Sequence, residues 1–258
     1  MSDGEVHYQR DGAVATVVFD RPAARNAMTW HMYERLKDIC ARMRTEDGLR
    51  VAVFRGAGGK SFIAGTDIAQ FLAFKSGDDG VAYEDGMEGC VGAVESLPIP
   101  TLAVIEGWAI GGGLAIAAAC DLRIATPGTR FGVPIARTLG NCLSVANVAR
   151  LVAALGAPRA KRVLLLAENL SAEEALAGGF ISDIVAPADL DGKVKEMCDR
   201  LASHAPVTMR VSKEAVRRVV LAGLADDHDL IRAAYGSEDF HEGVKAFVEK
   251  REMRWRGR

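Results

Sequence analysis

The parts of this chain best able to do chemistry without a reactive side chain are two glycine-bearing turns. Gly111, Gly112 and Gly113 lie between a β-type run and an apolar helical one, inside the stretch 107–120. Glycine lets a backbone N–H approach a ligand closely and accepts positive φ. A helix start leaves its first N–H groups unpaired at the positive end of the helix dipole. Such a turn can receive an oxyanion; it can equally be a close packing contact with no ligand. A second turn, Ala64, Gly65, Thr66, Asp67 and Ile68, also joins a strand to a short helix. Each turn could offer one N–H to a single oxygen.

The other candidates are weaker. Gly56, Ala57, Gly58, Gly59, Lys60 and Ser61 end like a phosphate loop, but a P-loop needs glycine where this chain has Phe54, and GxGxxG needs it at Ser61. A tight surface turn is the reading. Glu84 and Glu88, one helical turn apart, share a face with Asp85 beside them, and read as a solvated acidic face. Asp67 reads as a helix cap. His31, His204, His228 and His241 read as surface or helix residues, and His7 as part of a frayed N-terminus. Cys40, Cys90, Cys120, Cys142 and Cys198 are odd in number, far apart and without a CxxC pair. They argue against disulfides or a zinc site and for a reducing, cytoplasmic compartment, with no metal expected.

The elements that hold these turns follow from periodicity. Residues 14–19, 51–54, 101–105 and 122–125 read as short strands. Helical spacing follows Thr29 (Met32, Leu36, Ile39, Cys40, Met43) and recurs at 68–74, 81–97 and 111–119. Such alternation implies a largely parallel sheet covered by helices. From Leu143 the pattern is helical, at 144–155, 158–166, 171–177, 189–204, 206–222 and 238–251, with Pro158, Pro187 and Pro206 in first turns. At 258 residues with a formal charge of −2, scattered Lys and Arg and a short basic end, the chain offers nothing to nucleic acid. Residues 1–10 carry no signal core, and the most apolar run is shorter than the ~20 residues that span a bilayer.

Taken in order, Asp20-Arg21-Pro22 to Arg25-Asn26-Ala27-Met28, the stretch 62–68, the stretch 107–121, Phe131-Gly132-Val133-Pro134, Ser171-Ala172-Glu173-Glu174-Ala175 and Glu242-Gly243-Val244-Lys245-Ala246-Phe247 resemble the crotonase superfamily, the enoyl-CoA hydratase/isomerase family. The resemblance implies an α/β fold: a crotonase-like ββα spiral core over 1–200 and a C-terminal helical section, 201–258, for oligomerisation and as a lid. It implies an acyl-CoA substrate, with coenzyme A as part of the substrate and no other cofactor, and a homotrimer or dimer of trimers. The thioester oxygen would lie between the backbone N–H groups of Thr66 and Gly112. Ala64, Gly65, Asp67, Ile68, Gly111 and Ile135 would line the site. The loop with Ala24, Arg25 and Ala27 would meet the pantetheine and adenine, Arg25 facing phosphate.

The chain departs from that family where hydratases carry glutamates. Two residues after the triplet stands Ala115; after Phe-Gly-x-Pro stand Ile135 and Ala136; a third position used by isomerases falls near Ser144. Arg137 would pass near the acyl pocket, where it could bind a substrate carboxylate or, more simply, pair with a structural acid. Ordinary hydration is therefore not expected. The expected function is acyl-CoA processing through an enolate-like state, by a lyase or isomerase; the alternatives are an acyl-CoA-binding protein without catalysis and, further off, a peptidase.

Overall fold

The computed structural model describes residues 3–258; Met1 and Ser2 lie outside the described residues. The chain opens with a hairpin, β1 (Glu5–Asp11) and β2 (Val14–Asp20), then α1 (Trp30–Met43), β3 (Val51–Gly56), a 3-10 turn Ile68–Ala73 and α2 (Gly77–Glu95). It continues through β4 (Thr101–Ile105), β5 (Trp108–Ile110), α3 (Gly112–Ala119), β6 (Leu122–Ala125), β7 (Arg130–Gly132) and α4 (Ile135–Thr138). After α5 (Val145–Leu155), α6 (Ala157–Leu165), β8 (Leu170–Ser171) and α7 (Ala172–Ala177) come four further helices. These are α8 (Leu190–Ser203), α9 (Pro206–Leu221), α10 (His228–Tyr235) and α11 (Glu238–Glu249). The expected mixed architecture and its strand–helix alternation are observed.

The main sheet runs β1-β2-β3-β4-β6, parallel except for the β1–β2 hairpin. Its central strands are buried on both faces, and the two-residue period divides them between two cores. Ala52, Phe54, Ala103 and Ile105 face the core shared with α1, α2 and α3; Val51, Val53, Leu102 and Val104 face Leu190 and Cys198 of α8. A small second sheet, β5-β7-β8, stands beside it. A third apolar cluster brings Ile231 and Tyr235 of α10 and Phe240 and Val244 of α11 onto Phe71 and Val81.

Three sequence expectations change. His7 is not frayed: β1 pairs along its length with β2, and the His7 ring meets Asp20 at 2.9 Å. Helix α2 starts four residues early, because Ser76 and Asp79 form a capping box. Of the acidic face on α2, Asp85 is exposed as expected, but Glu84 is buried and Glu88 is held in an ion pair. Glu88 and Glu95 bind the guanidinium of Arg150 at 2.6 and 2.8 Å, and that side chain is 2% exposed. This ion pair ties α2 to α5. Removing the cation strands two carboxylates, one of them mostly buried, at a cost near the lower end of that known for buried pairs. Arg150→Leu is expected to lower the unfolding free energy by about 3 kcal/mol, read as a lower urea midpoint at unchanged slope.

Candidate active site

Both glycine turns open into one cavity of about 390 Å³. The first is anchored by short bridges. Met28 N donates to Gly65 O (2.9 Å), Asp67 N to Met28 O (2.8 Å), and Ala64 N to Arg25 O (3.1 Å). The second is anchored by Gly111 N to Gly132 O (2.9 Å) and by Ile110 N to Ile63 O (3.0 Å). In this ladder the Thr66 N–H and the Gly112 N–H are left over: among the described residues neither has a protein acceptor, and both residues line the cavity.

Each glycine of the triplet has its own reason. Gly111 has φ 55° and ψ −121°, a conformation closed to residues with a Cβ. A Cβ on Gly112 would stand 2.8 Å from the Tyr33 hydroxyl. One on Gly113 would stand 2.2 Å from Ile63 O, backbone that cannot yield. Packing and ligand approach, the two readings of the triplet, are therefore divided between its members. Tyr33 in turn meets Thr66 Oγ1 at 2.7 Å, and Thr66 Oγ1 meets Tyr83 Oη at 2.9 Å. These buried hydroxyls hold one another, and burial pushes both phenols well above their usual range.

Most of the residues singled out from sequence meet here. Ala24, Arg25, Ala27, Ala64, Gly65, Thr66, Asp67, Ile68, Gly111, Gly112 and Ile135 all line the cavity. The loop with Arg25 is set by Asn26, whose side chain accepts from Arg21 N and donates to Ala57 O and Ser61 O. Arg25 and Asn26 both hold positive φ, 53° and 58°. Asp67 binds Arg21 at 2.8 Å and also accepts from Ala69 N, so the capping expectation holds. Arg137 is the exception: it is exposed, outside the cavity, and forms no ion pair among the described residues. Ile135 and Thr138, three apart on α4, share the inward face and leave Ala136 and Arg137 outside.

Sequence reasoning missed the residue with the most unusual setting. Glu84 lines the cavity and is only 2% exposed. Tyr235 Oη donates to its Oε1 (2.6 Å), and Ser144 N to its Oε2 (3.0 Å). Asn141 Nδ2 donates in turn to Tyr235 Oη (3.1 Å). No cation pairs with it among the described residues, and burial, against those two hydrogen bonds, raises its carboxyl from the usual 4.5 to about 7. Tyr235 reaches it because Gly80 has no Cβ; one there would lie 2.2 Å from the Tyr235 ring. The signal was present: Val81, Met87, Val91 and Val94 are the buried stripe of α2, and Glu84 falls on it.

The sequence model of the enoyl-CoA hydratase/isomerase family matches residues 9–258. The chain belongs to that family. It is 36% identical to an (E)-benzylidenesuccinyl-CoA hydratase of Thauera aromatica, over 95% of this chain and 96% of that one. It is 30% identical to a short-chain-enoyl-CoA hydratase of Clostridium acetobutylicum, over 98% of each. A methylmalonyl-CoA decarboxylase complexed with 2S-carboxypropyl-CoA superimposes with a TM-score of 0.89 at 26% identity, covering all of both chains. Ala115 and Ile135, where the resemblance places the hydratase glutamates, both line the cavity and are apolar. The cysteines are all free, and burial raises the Cys142 thiol to about 12, leaving no thiolate nucleophile there.

A buried acid without a counter-charge has a cost that depends on pH. The native Glu84 keeps its proton up to about 7, whereas the unfolded chain releases it near 4.5. Stability contributed by this group therefore falls as pH rises through that window. Glu84→Gln cannot ionise, and its amide can still accept from Ser144 N while Tyr235 turns to accept. The variant is expected to match wild type in melting temperature at pH 5 and to exceed it by a few degrees at pH 8, measured by calorimetry.

Proposed function

We propose that this protein is an enzyme acting on an acyl-coenzyme A thioester, whose carbonyl oxygen is received by the N–H groups of Thr66 and Gly112. The supporting observation is that both residues line one cavity and that neither N–H has a protein acceptor among the described residues. Removing an α-proton, or adding to Cβ, moves negative charge onto the thioester oxygen, and one preorganised donor there is worth about 3–4 kcal/mol. The relatives and the structural neighbour described above are each named for coenzyme A esters, which agrees with this substrate class. Arg25, exposed at the cavity mouth without an ion-pair partner among the described residues, suits the coenzyme phosphates.

Two-carboxylate hydration is not the reaction we assign, since Ala115 and Ile135 replace the groups that would hold water. A lyase or isomerase step through the enolate fits better, with coenzyme A as part of the substrate and no further cofactor. We also assign a cytoplasmic location and a closed homo-oligomer, a trimer or pair of trimers. No residue of α9 is buried, and its exposed Val207, Val211, Val216 and Val219 give it apolar surface that a second copy would cover. Among the described residues no helix is long and apolar enough to cross a membrane.

Crotonyl-CoA hydration, followed as loss of the enoyl absorbance, tests the assignment. Wild type is expected to be at or near the buffer rate while binding the ester in calorimetry, and Ala115→Glu with Ile135→Glu to gain hydration. Brisk wild-type hydration would overturn the reading of the missing carboxylates. Gly112→Ala, which drives a methyl group against Tyr33, is expected to lower turnover of any accepted thioester by about 100-fold or more.

A further inference from the structure

Resting on that reading, we infer that Glu84 carries the proton in this site, taking it from Cα of the bound thioester and returning it to the acyl chain. Two of the cavity-lining residues are acids, Asp67 and Glu84. Asp67 is committed to Arg21 and to capping the 3-10 turn at the coenzyme end. Glu84 stands on α2, next to Tyr83, whose hydroxyl touches the side chain of the donor residue Thr66. Its two hydrogen bonds come from α10 and from the start of α5, so the carboxyl is held from both sides and aimed. A purely structural strut at this place would be served as well by a neutral amide. What a carboxyl adds is a proton that can leave and return.

The step balances without a co-reactant. The Cα–H bond breaks, its electron pair forms the Cα=C1 bond, and the carbonyl π pair moves to the oxygen facing Thr66 N and Gly112 N. The proton goes to a Glu84 oxygen. In the return step the pair attacks that proton at Cα or, for a dienolate, at Cγ. One carboxylate suffices for such a shift, whereas hydration needs a second group to hold water. Tyr235, which touches Glu84 and does not line the cavity, then acts as a positioning residue, with Asn141 holding its hydroxyl. The charged and titratable groups around Glu84 are Asp227 and Glu88, which raise it, with Tyr83, Tyr235 and Cys142 all in their neutral forms.

The test uses 3-butenoyl-CoA in D₂O, with deuterium uptake into the acyl chain read by mass spectrometry and binding read by calorimetry. Wild type, Glu84→Gln, Glu84→Asp, Tyr235→Phe and the control Asp85→Asn are compared. Wild type and the control are expected to exchange alike, with an acidic limb on which the rate rises as a group near 7 loses its proton. Glu84→Gln is expected to lose at least about 100-fold in exchange while binding changes less than threefold, and Glu84→Asp to recover part of the rate. Tyr235→Phe, which removes a donor to the carboxylate, is expected to move the limb to higher pH. Exchange retained in Glu84→Gln, or no exchange by a wild type that binds the ester, overturns the assignment of Glu84. Should Glu84→Gln fail to fold, a limb that does not move in Tyr235→Phe overturns it. Failure of wild type to bind the ester instead overturns the acyl-CoA reading beneath it.

Discussion

A buried peptide N–H with nothing to bond is costly, and Thr66 and Gly112, at adjoining turns of one cavity, each carry an N–H without a protein acceptor among the described residues. The carbonyls around them are paired. Gly65 O, Met28 O, Ile63 O and Gly132 O are each taken by a neighbouring N–H, so the segments cannot slip to satisfy Thr66 or Gly112. Gly113 locks α3 onto Ile63 at a distance no side chain would permit. The small sheet β5-β7-β8 exists largely to hold the second turn, and residues 26–28, pinned by Asn26, hold the first. Preorganisation of this kind puts the reorganisation cost into folding, and under the proposed function that cost is already met when a substrate oxygen arrives.

The same logic governs the far wall. Helix α2 presents one face to the core and carries Glu84 on it, buried at the edge of the cavity. The surrounding helices answer with neutral donors and no cation. A neutralising Lys or Arg would have lowered the carboxyl and fixed it as an anion. Donors without charge leave it near neutrality, with both protonation states accessible. Arg150 shows the contrast one turn further along: its guanidinium takes Glu88 and Glu95, and that part of α2 is a strut.

Much of this was legible in the sequence because it rests on local rules. The four longest parallel strands, the Thr29 cap and the proline-started helices follow from period, capping and φ, and the two turns follow from glycine beside apolar runs. What stayed hidden depends on contacts remote in sequence. β5, β7 and β8 are three residues or fewer, too short to show a period, and exist through pairing. Glu84 was read as solvated because Glu84 and Glu88 at i and i+4 suggest one face, yet Glu84 is buried and Glu88 reaches outward to Arg150. The partner that buries Glu84, Tyr235, is 151 residues away. Arg137 misled for the opposite reason: a resemblance places its segment at the cavity, but one turn of helix decides which side chains enter.

The apolar residues at 115 and 135 therefore have a meaning beyond loss. Ala115 and Ile135 line the same cavity as Glu84, and the resemblance places the hydratase acids at these two positions. Refilling either place with a carboxylate would set another negative charge in the same cavity as Glu84. Like charges sharing a dry cavity raise one another, and Glu84 already feels Asp227 and Glu88. An extra acid would push Glu84 further up and hold it protonated at neutral pH. The apolar lining at 115 and 135 and the uncompensated carboxyl thus belong to one electrostatic arrangement: those positions bring no further carboxylate to Glu84, no cation pairs with it among the described residues, and burial raises it to about 7.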